Sequence, residues 1–291
     1  MFFSIVVPLY NKSYSIKRCI DSILLQSHSS FEIIIVNDGS TDDSLSIVRD
    51  TYASEIDSEI IKIIDQPNQG VSAARNKGVN IAKSDYICFL DADDEWKPSF
   101  LEEMYNLITD FPEANLYCLQ HETKVDEKDP IRNRCYHKDG FRGYVKNFFK
   151  ASLIGSIANS SKICISKSAL DSVGGFPESY KSGEDLYVWM EMSLNGSIAF
   201  YNKVFARVNV LQDLSRSGRS ESIPYPFIHY SGEASSELNS WSKVYLFKMY
   251  LSHFAASLRD HDMDSAKART TAASGVFPYL AIVNRALNII E

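Results

Sequence analysis

Long apolar runs are missing from this 291-residue sequence, and no window approaches the roughly 18 to 20 apolar residues that a membrane-spanning helix needs. Glycine and proline are scarce, at 13 and 9 residues, and 45% of the chain is hydrophobic, which excludes collagen-like, low-complexity and disordered classes. The N-terminal stretch MFFSIVVPLYNK lacks a basic region and a small-residue cleavage site, so it predicts a buried strand and not a signal peptide. The expectation is a folded, soluble, cytoplasmic protein.

Cysteine is also infrequent and shows no spacing typical of disulfides or zinc sites. The chain has five cysteines, an odd number, with no CxxC pair, and most of them lie inside apolar runs. This usage indicates buried core thiols in a reducing compartment.

Basic residues are in the minority in the first part of the chain. Residues 1–130 contain 23 acidic and 11 basic side chains, whereas residues 131–291 contain 14 acidic and 19 basic ones, within a formal net charge of −7. Because phosphate neutralisation requires clustered Lys and Arg, the acidic half argues against a nucleic-acid-binding protein. The basic half is a candidate surface for an anionic partner.

Short apolar runs alternate with segments of helical period over the first 120 residues. The runs predict strands at 3–7, 32–36, 60–64 and 86–90. The periodic segments predict helices at 16–24, 45–52 and 71–82 and from Pro98, which suits a first helical position. This alternation is typical of a doubly wound α/β fold, with a mostly parallel sheet covered by helices on both faces.

The pattern is looser after residue 120. Residues 121–143 are polar and charged and predict a loop or an excursion over the sheet. A strand at 163–166 and helices near 167–173 and 185–194 are expected to follow. Two or three further helices are expected after Ser240. We place a boundary near residue 225, with a helical extension over 226–291.

Polar motifs follow three of the predicted strands directly. They are Tyr10-Asn11 after the first strand, Asn37-Asp38 after the second and residues 91–94 (DADD) after the fourth. Ligands of doubly wound sheets bind at the carboxyl ends of the strands, so these motifs predict one site at one edge of the sheet.

The DADD segment places three carboxylates within four residues, and these repel one another unless a cation neutralises them. Oxygen-only ligands suit a hard ion such as Mg²⁺ or Mn²⁺. The alternative is a solvated acidic cap on the following helix.

Each of the remaining polar candidates also has two interpretations. Asp38 is either a nucleoside contact or a turn-forming residue before glycine. Arg75, one turn into a helix that a glycine opens, either binds phosphate or faces solvent. Glu184 and Asp185 at the start of an apolar helix supply either a general base or a cap. Neither G-x-G-x-x-G after the first strand nor GxxxxGK[ST] anywhere is present, so dinucleotide and P-loop folds are not supported.

Six motifs taken together strongly resemble family-two inverting glycosyltransferases of the GT-A fold, of the type found in bacterial surface-polysaccharide pathways such as O-antigen or capsule synthesis. The motifs, which match in order and spacing over roughly residues 1–200, are SIVVPLYNK (4–12), IIIVNDGSTDDS (33–44), NQGVSAARNKG (68–78), FLDADD (89–94), GGF (174–176) and GED (183–185). The resemblance implies a GT-A domain over 1–225, with a nucleotide-binding half at 1–120 and an acceptor-binding half at 121–225.

The resemblance also implies roles for individual residues. The implied nucleotide-sugar site consists of Pro8, Tyr10, Asp38, Arg75, Asp91, Ala92, Asp93, Asp94 and Arg219. Within it, Asp38 would contact uracil, and Asp93 with Asp91 would hold Mn²⁺ or Mg²⁺ at the diphosphate. Asp185 would be the catalytic base with Glu184 beside it, so that one displacement inverts the anomeric centre.

Two features remain open at the sequence level. The QxxRW motif of processive members is missing, so one sugar per encounter is expected, and residues 211–222, with Arg216 or Arg219, form either a lid or an exposed loop. The helices after Ser240, with aromatic and cationic residues, could pack on the catalytic domain, form a homodimer contact or lie against the inner face of the plasma membrane near a polyprenyl-diphosphate-linked acceptor. Alternatives to glycosyl transfer are a nucleotidyltransferase and a non-catalytic nucleotide-sugar-binding scaffold.

Overall fold

The computed structural model describes residues 1–210, 222–259 and 261–287, with side chains up to residue 284. Ten strands form one sheet: β1 (Phe3–Leu9), β2 (Phe31–Asp38), β3 (Ile61–Gln66), β4 (Tyr86–Phe89), β5 (Glu95–Trp96), β6 (Leu116–Val125), β7 (Ile131–Arg132), β8 (Arg142–Tyr144), β9 (Ile163–Ser166) and β10 (Ile198–Val210). The helices are α1 (Ile16–Leu24), α2 (Ser44–Thr51), α3 (Ala53–Asp57), α4 (Val71–Ile81), α5 (Phe100–Asp110), α6 (Phe148–Ser152), α7 (Lys167–Ser172), α8 (Glu184–Asn195), α9 (Tyr225–His229), α10 (Ser240–Arg259), α11 (Met263–Ser274) and α12 (Leu280–Leu287).

The main path of the sheet runs β3-β2-β1-β4-β9-β6-β10-β5, with β7 on β6 and β8 on β10. The first four strands on this path are parallel, and so are β6 and β10, whereas β9 lies antiparallel between β4 and β6. This confirms the predicted mainly parallel sheet flanked by helices.

Successive residues of the central strands point to opposite faces of the sheet, and each face has its own core. Val6 belongs to one core, whereas Ile5 and Val7 belong to the other. Helices α1 and α5 cover the second core, and α4, α8, α10 and α11 cover the first. All seven residues of β1 are buried, as expected for a strand covered on both sides.

The secondary structure differs from the prediction in several places. The segment 121–143 is not a single loop, because β6 continues to Val125 and β7 and β8 follow, and the 13-residue strand β10 was not predicted at all. Several positions of β6 and β10 are only half-buried and carry polar side chains. These polar residues interrupt the run of apolar residues from which a strand would be predicted. Pro98 lies outside α5, which begins at Phe100, and its carbonyl accepts a hydrogen bond from the Ser27 amide at 2.8 Å.

All five cysteines are unpaired and four are buried, as the sequence predicted. Within the described part of the chain, no helix is both long and apolar enough to cross a membrane.

Candidate active site

A cleft of about 460 Å³ opens at the carboxyl ends of β1, β2 and β4, where the sequence predicted a site. Its walls include most of the predicted nucleotide-sugar residues, namely Pro8, Tyr10, Asp38, Arg75, Asp91, Ala92 and Asp93. Lys12, Tyr180 and Lys181 also line it, although the sequence analysis did not propose them.

Asp38, at the end of β2, is buried and holds the loop that follows β3. Its carboxylate accepts hydrogen bonds of 2.8 Å from the Gln66 side chain and from the backbone amides of Gln69 and Gly70. Gly70, which precedes α4, has a φ of +94°, a conformation that favours glycine. Asp38 therefore builds this wall of the cleft, and its contact with a base stays a prediction.

The turn after β1 is tied to the turn after β2. Asn11 adopts a φ of +50°, and its side-chain oxygen accepts a hydrogen bond from the Thr41 amide at 2.8 Å. The Lys12 amide donates to the Ser44 hydroxyl at 2.7 Å, which leads the Lys12 side chain across the cleft to Asp93, at an Nζ–Oδ2 distance of 3.1 Å. Lys12 could have been proposed from the sequence, because it is the lysine at the end of the motif PLYNK, near the predicted site residue Tyr10.

The three aspartates of the DADD segment do not act together. Asp91 and Asp93 line the cleft, whereas the Asp94 carboxylate is buried and is engaged by the Ser161 hydroxyl and the Asn209 amide. Burial, with the charges of Asp93 and Asp91, raises the pKa of Asp94 well above its usual value. The prediction that Asp94 contacts the nucleotide sugar is therefore corrected, because the turn directs this side chain into the protein, where it anchors the segment.

Arg75 connects the two halves of the site. Its guanidinium is buried, lies 2.8 Å from the Asp91 carboxylate and lies 3.7 Å from the Glu184 carboxylate. Burial alone would lower the pKa of Arg75, but the charges of Asp91, Glu184 and Asp185 outweigh burial and raise it. Among the described residues, Nε and Nη1 of Arg75 make no hydrogen bond, and the contact of Nη1 with Glu184 is an ion pair longer than a hydrogen bond.

Asn76, the next residue of α4, holds the GGF segment. Its side-chain oxygen accepts a hydrogen bond from the Phe176 amide at 2.9 Å, and its nitrogen donates to the Phe176 carbonyl at 2.8 Å. Gly175 has a φ of +75°, and a Cβ there would lie 2.9 Å from the Asn76 side chain. The Phe176 ring then lies 5.4 Å from the Arg75 guanidinium. This clamp joins motifs about 100 residues apart, and sequence reasoning gave Asn76 no role.

Glu184 and Asp185 begin α8 after Gly183, which has a φ of +77°. Neither residue lines the cleft directly, but both place negative charge beside Arg75. Asp185 also acts on a residue of α10: burial and the charge of Asp185 raise the pKa of Tyr245 to about 12. The charge of Asp185 therefore acts both on Arg75 at the cleft and on Tyr245 of the C-terminal helices. Arg216 and Arg219 lie outside the described residues.

A mainly parallel sheet flanked by helices, with this cleft at its strand ends, defines an α/β protein of the GT-A fold. Residues 4–174 match the family described as Glycosyl transferase family 2, and the chain belongs to that family. This confirms the family predicted from the six motifs.

Several known proteins are similar to this chain. An uncharacterized glycosyltransferase of Rickettsia felis is 29% identical over 218 residues, which are 71% of this chain and 33% of that protein. Glycosyltransferase GlyA of Streptococcus pneumoniae is 40% identical over 108 residues, which are 37% of this chain and 15% of that protein. The chain thus spans a third or less of the length of these relatives. S. aureus TarS, solved in complex with UDP-GlcNAc, has a TM-score of 0.75 at 19% identity, over 99% of this chain and 88% of that one.

Proposed function

We propose that this protein is an inverting glycosyltransferase that moves one sugar from a UDP-sugar, or another nucleoside-diphosphate sugar, to a hydroxyl of a glycan or lipid-linked saccharide. The observation that carries the proposal is buried Arg75, which lines a cleft at the strand ends and whose Nε and Nη1 make no hydrogen bond among the described residues. A buried donor without a partner is costly, so a ligand that accepts from it would bind well. The nucleotide ligands in solved TarS structures, a protein of the same fold, support the choice of UDP.

The residues at the cleft suit a diphosphate. Lys12, Arg75 and Lys181 all line the cleft and bring positive charge to it. Arginine forks match phosphate oxygens, and cations near the departing diphosphate stabilise the charge that it acquires. Tyr10, 43% exposed at the wall, offers an aromatic face for a base.

The carboxylates at the cleft also fit Mn²⁺ or Mg²⁺. Asp93 and Asp91 present oxygen ligands to the same space, and these ions take one or two carboxylates together with substrate phosphates. Asp94 would not take part, because its carboxylate is buried against Ser161 and Asn209 and does not line the cleft. When bound, the ion would supply further neutralisation of the leaving diphosphate.

Asp185 is the proposed general base. Asp185 lies in the first turn of α8, and a carboxylate is a group that can accept the proton of an attacking hydroxyl. In a single displacement, the acceptor hydroxyl would lose its proton to Asp185 as its oxygen attacks the anomeric carbon and the bond to the diphosphate breaks. Glu184 would hold Arg75 from the acceptor side and thereby fix the position of the guanidinium.

The first experiment compares thermal stability with UDP, GDP, TDP and ADP, each with Mn²⁺ and with EDTA, because a ligand of the native state raises stability. We expect an Mn²⁺-dependent shift confined to UDP or TDP. Asp93→Asn should lose this shift, whereas Asp185→Asn should keep it and lose turnover by about 10²- to 10⁴-fold.

Asp57→Asn, at an exposed position on α3, is the matched control and should change neither readout. Full turnover in Asp185→Asn would remove the base assignment. The absence of any nucleotide shift in the unaltered protein would contradict the proposed donor site, whereas a nucleotide shift without any turnover would favour the non-catalytic nucleotide-sugar-binding scaffold. A nucleotidyltransferase would instead show formation of diphosphate from a nucleoside triphosphate.

A further inference from the structure

A row of aromatic rings extends from the cleft past the start of α8. Tyr180 lines the cleft and is 37% exposed. Its ring lies 4.3 Å, centroid to centroid, from Tyr225, which lies 5.0 Å from Tyr187, and Tyr187 lies 4.6 Å from His229. Tyr225, Tyr187 and His229 are each half-buried, so part of every ring faces solvent.

The protein holds this row firmly against the proposed catalytic base. The Tyr225 amide donates a hydrogen bond to the Ser182 carbonyl at 2.9 Å, and a Cβ at Gly183 would lie 2.9 Å from Pro226 Cδ. The segment at 224–226 is therefore packed on the turn that positions Glu184 and Asp185. Glu184 and Tyr187 are separated by one helical turn, so the row begins beside the proposed acceptor side of the site.

Hydrogen-bonding groups close the far end of the row. Glu191 on α8, His229 on α9 and Glu237 place one polar atom each within 4.8 Å of one another. The hydroxyl of buried Tyr230 donates to one oxygen of Glu191, and the Asn195 side chain donates to the other at 3.0 Å. These contacts fix the Glu191 carboxylate, whereas Glu237 is exposed.

We propose that Tyr180, Tyr225 and Tyr187 form an acceptor subsite for an uncharged saccharide, with Glu191, His229 and Glu237 binding its hydroxyls. This inference rests on the proposed function, since it assigns the acceptor of the same site. Aromatic rings offer flat apolar faces that fit the C–H face of a sugar ring, and carboxylates accept hydrogen bonds from hydroxyls. Two carboxylates at the end of the row disfavour a phosphorylated acceptor, because like charges repel.

The test measures sugar binding and nucleotide binding separately on the whole protein. Saturation-transfer NMR with maltotriose, cellotriose and chitotriose, in the presence of UDP and Mg²⁺, reports sugar contact, and glycerol 1-phosphate serves as the anionic probe. We expect transfer to at least one trisaccharide and none to glycerol 1-phosphate. Tyr180→Ala and Tyr225→Ala should each reduce the transfer at least fivefold. Tyr225→Ala, which lies outside the cleft lining, should also leave the UDP-induced thermal shift unchanged.

Tyr105→Ala is the matched control, because Tyr105 on α5 is also 37% exposed but stacks on His28, outside the row. It should bind sugar as the unaltered protein does. Tyr180 is an exposed ring, so its removal tests the subsite even if Tyr225→Ala fails to fold.

Three results would overturn the subsite: no transfer to any trisaccharide while UDP still stabilises the protein, unchanged transfer in both tyrosine variants, or an equal loss of the UDP shift in Tyr225→Ala. A tyrosine-dependent sugar signal without any UDP shift would support the subsite and count against the proposed donor.

Discussion

Glu32 shows how one buried carboxylate can join neighbouring strands. It accepts hydrogen bonds from the Ser4 hydroxyl on β1 at 2.6 Å, from the Lys62 ammonium on β3 at 2.9 Å and from the Lys83 amide at 2.7 Å. Burial alone would raise the pKa of Glu32, but these three hydrogen bonds outweigh burial and lower it. The ionised form is therefore built into the sheet.

We predict that Glu32→Gln lowers the free energy of unfolding at pH 7 by about 1 to 3 kcal/mol, since hydrogen bonds to a charged group are lost. A carboxylate whose pKa is lower in the folded than in the unfolded protein stabilises the folded state at pH values above its unfolded pKa. This stabilisation is lost as the pH falls through the folded-state pKa. The difference between the two proteins should be constant above about pH 5 and shrink below about pH 4. Urea unfolding at several pH values measures it.

Glu59→Gln is the control, because the Glu59 side chain is exposed and its carboxylate lies 3.8 Å from the Lys83 ammonium. Glu59→Gln should change the free energy of unfolding by close to zero at every pH. A difference between Glu32→Gln and the unaltered protein that grows as the pH falls would contradict the account.

Single residues of the site were predictable where the motif itself fixes their position. Asp91, Asp93 and Arg75 follow strand ends or a glycine-opened helix, and all three reach the cleft. The placement of Asp94 was not predictable, because the direction of a side chain within a turn depends on partners such as Asn209, distant in sequence. The clamp by Asn76 was missed for the same reason.

At the level of elements, the contact between α4 and β1 is unusually close. A Cβ at Gly78 would lie 2.4 Å from Val6 Cγ1, well inside van der Waals contact. Gly78 lies one turn after Arg75 on the same helix, so the close approach also sets the depth of the guanidinium.

We predict that Gly78→Ala lowers the free energy of unfolding by about 1 to 3 kcal/mol, although alanine favours helix, because α4 must move away from the sheet. The UDP-induced thermal shift should also fall, since Arg75 moves with the helix. Denaturant unfolding with and without UDP measures both effects.

Asn80→Ala, at an exposed position of the same helix, is the control and should not destabilise the protein. In a double-mutant cycle, Val6→Ala should offset part of the cost of Gly78→Ala. Strict additivity of the two changes would show that the clash is not the cause.

Strands were predictable where a run of β-branched or apolar residues marks them. The strands β1, β2 and β4 consist mostly of buried apolar residues, β3 begins with a mostly β-branched run that is only partly buried, and the predicted positions of all four agree with the structure to within a few residues. In β10 the burial pattern is mixed, and residues such as Asn202 and Arg207 make hydrogen bonds that the apolar pattern does not report. Whether a segment with such a mixed pattern forms a strand depends on partners that are distant in sequence.

At the scale of the whole molecule, the C-terminal helices share a core with the sheet. Tyr230, Leu246 and Phe277 are buried in the same cluster as Phe89 and Phe200 of the strands. The region after residue 225 is thus not packed as a separate body, because its apolar side chains complete one face of the sheet.

We predict that a chain ending at residue 239 loses cooperative unfolding or becomes insoluble, because it exposes the apolar face that α10 and α11 cover. Circular dichroism melting and sedimentation of the lysate measure these outcomes. Ile282→Ser, at a position that is 71% exposed on α12, should melt as the unaltered chain does. A truncated chain with an unchanged cooperative transition would show that the first 239 residues fold independently.

The clamp between Asn76 and Phe176 has a consequence for the order of folding. Contacts between residues 100 apart form late, because closing a long loop costs chain entropy before the contact repays it. The helix with Arg75 and the turn with Glu184 can each form locally, but they meet only when this loop has closed. A partly synthesised chain that stops before residue 176 would contain the DADD segment and still lack a complete cleft.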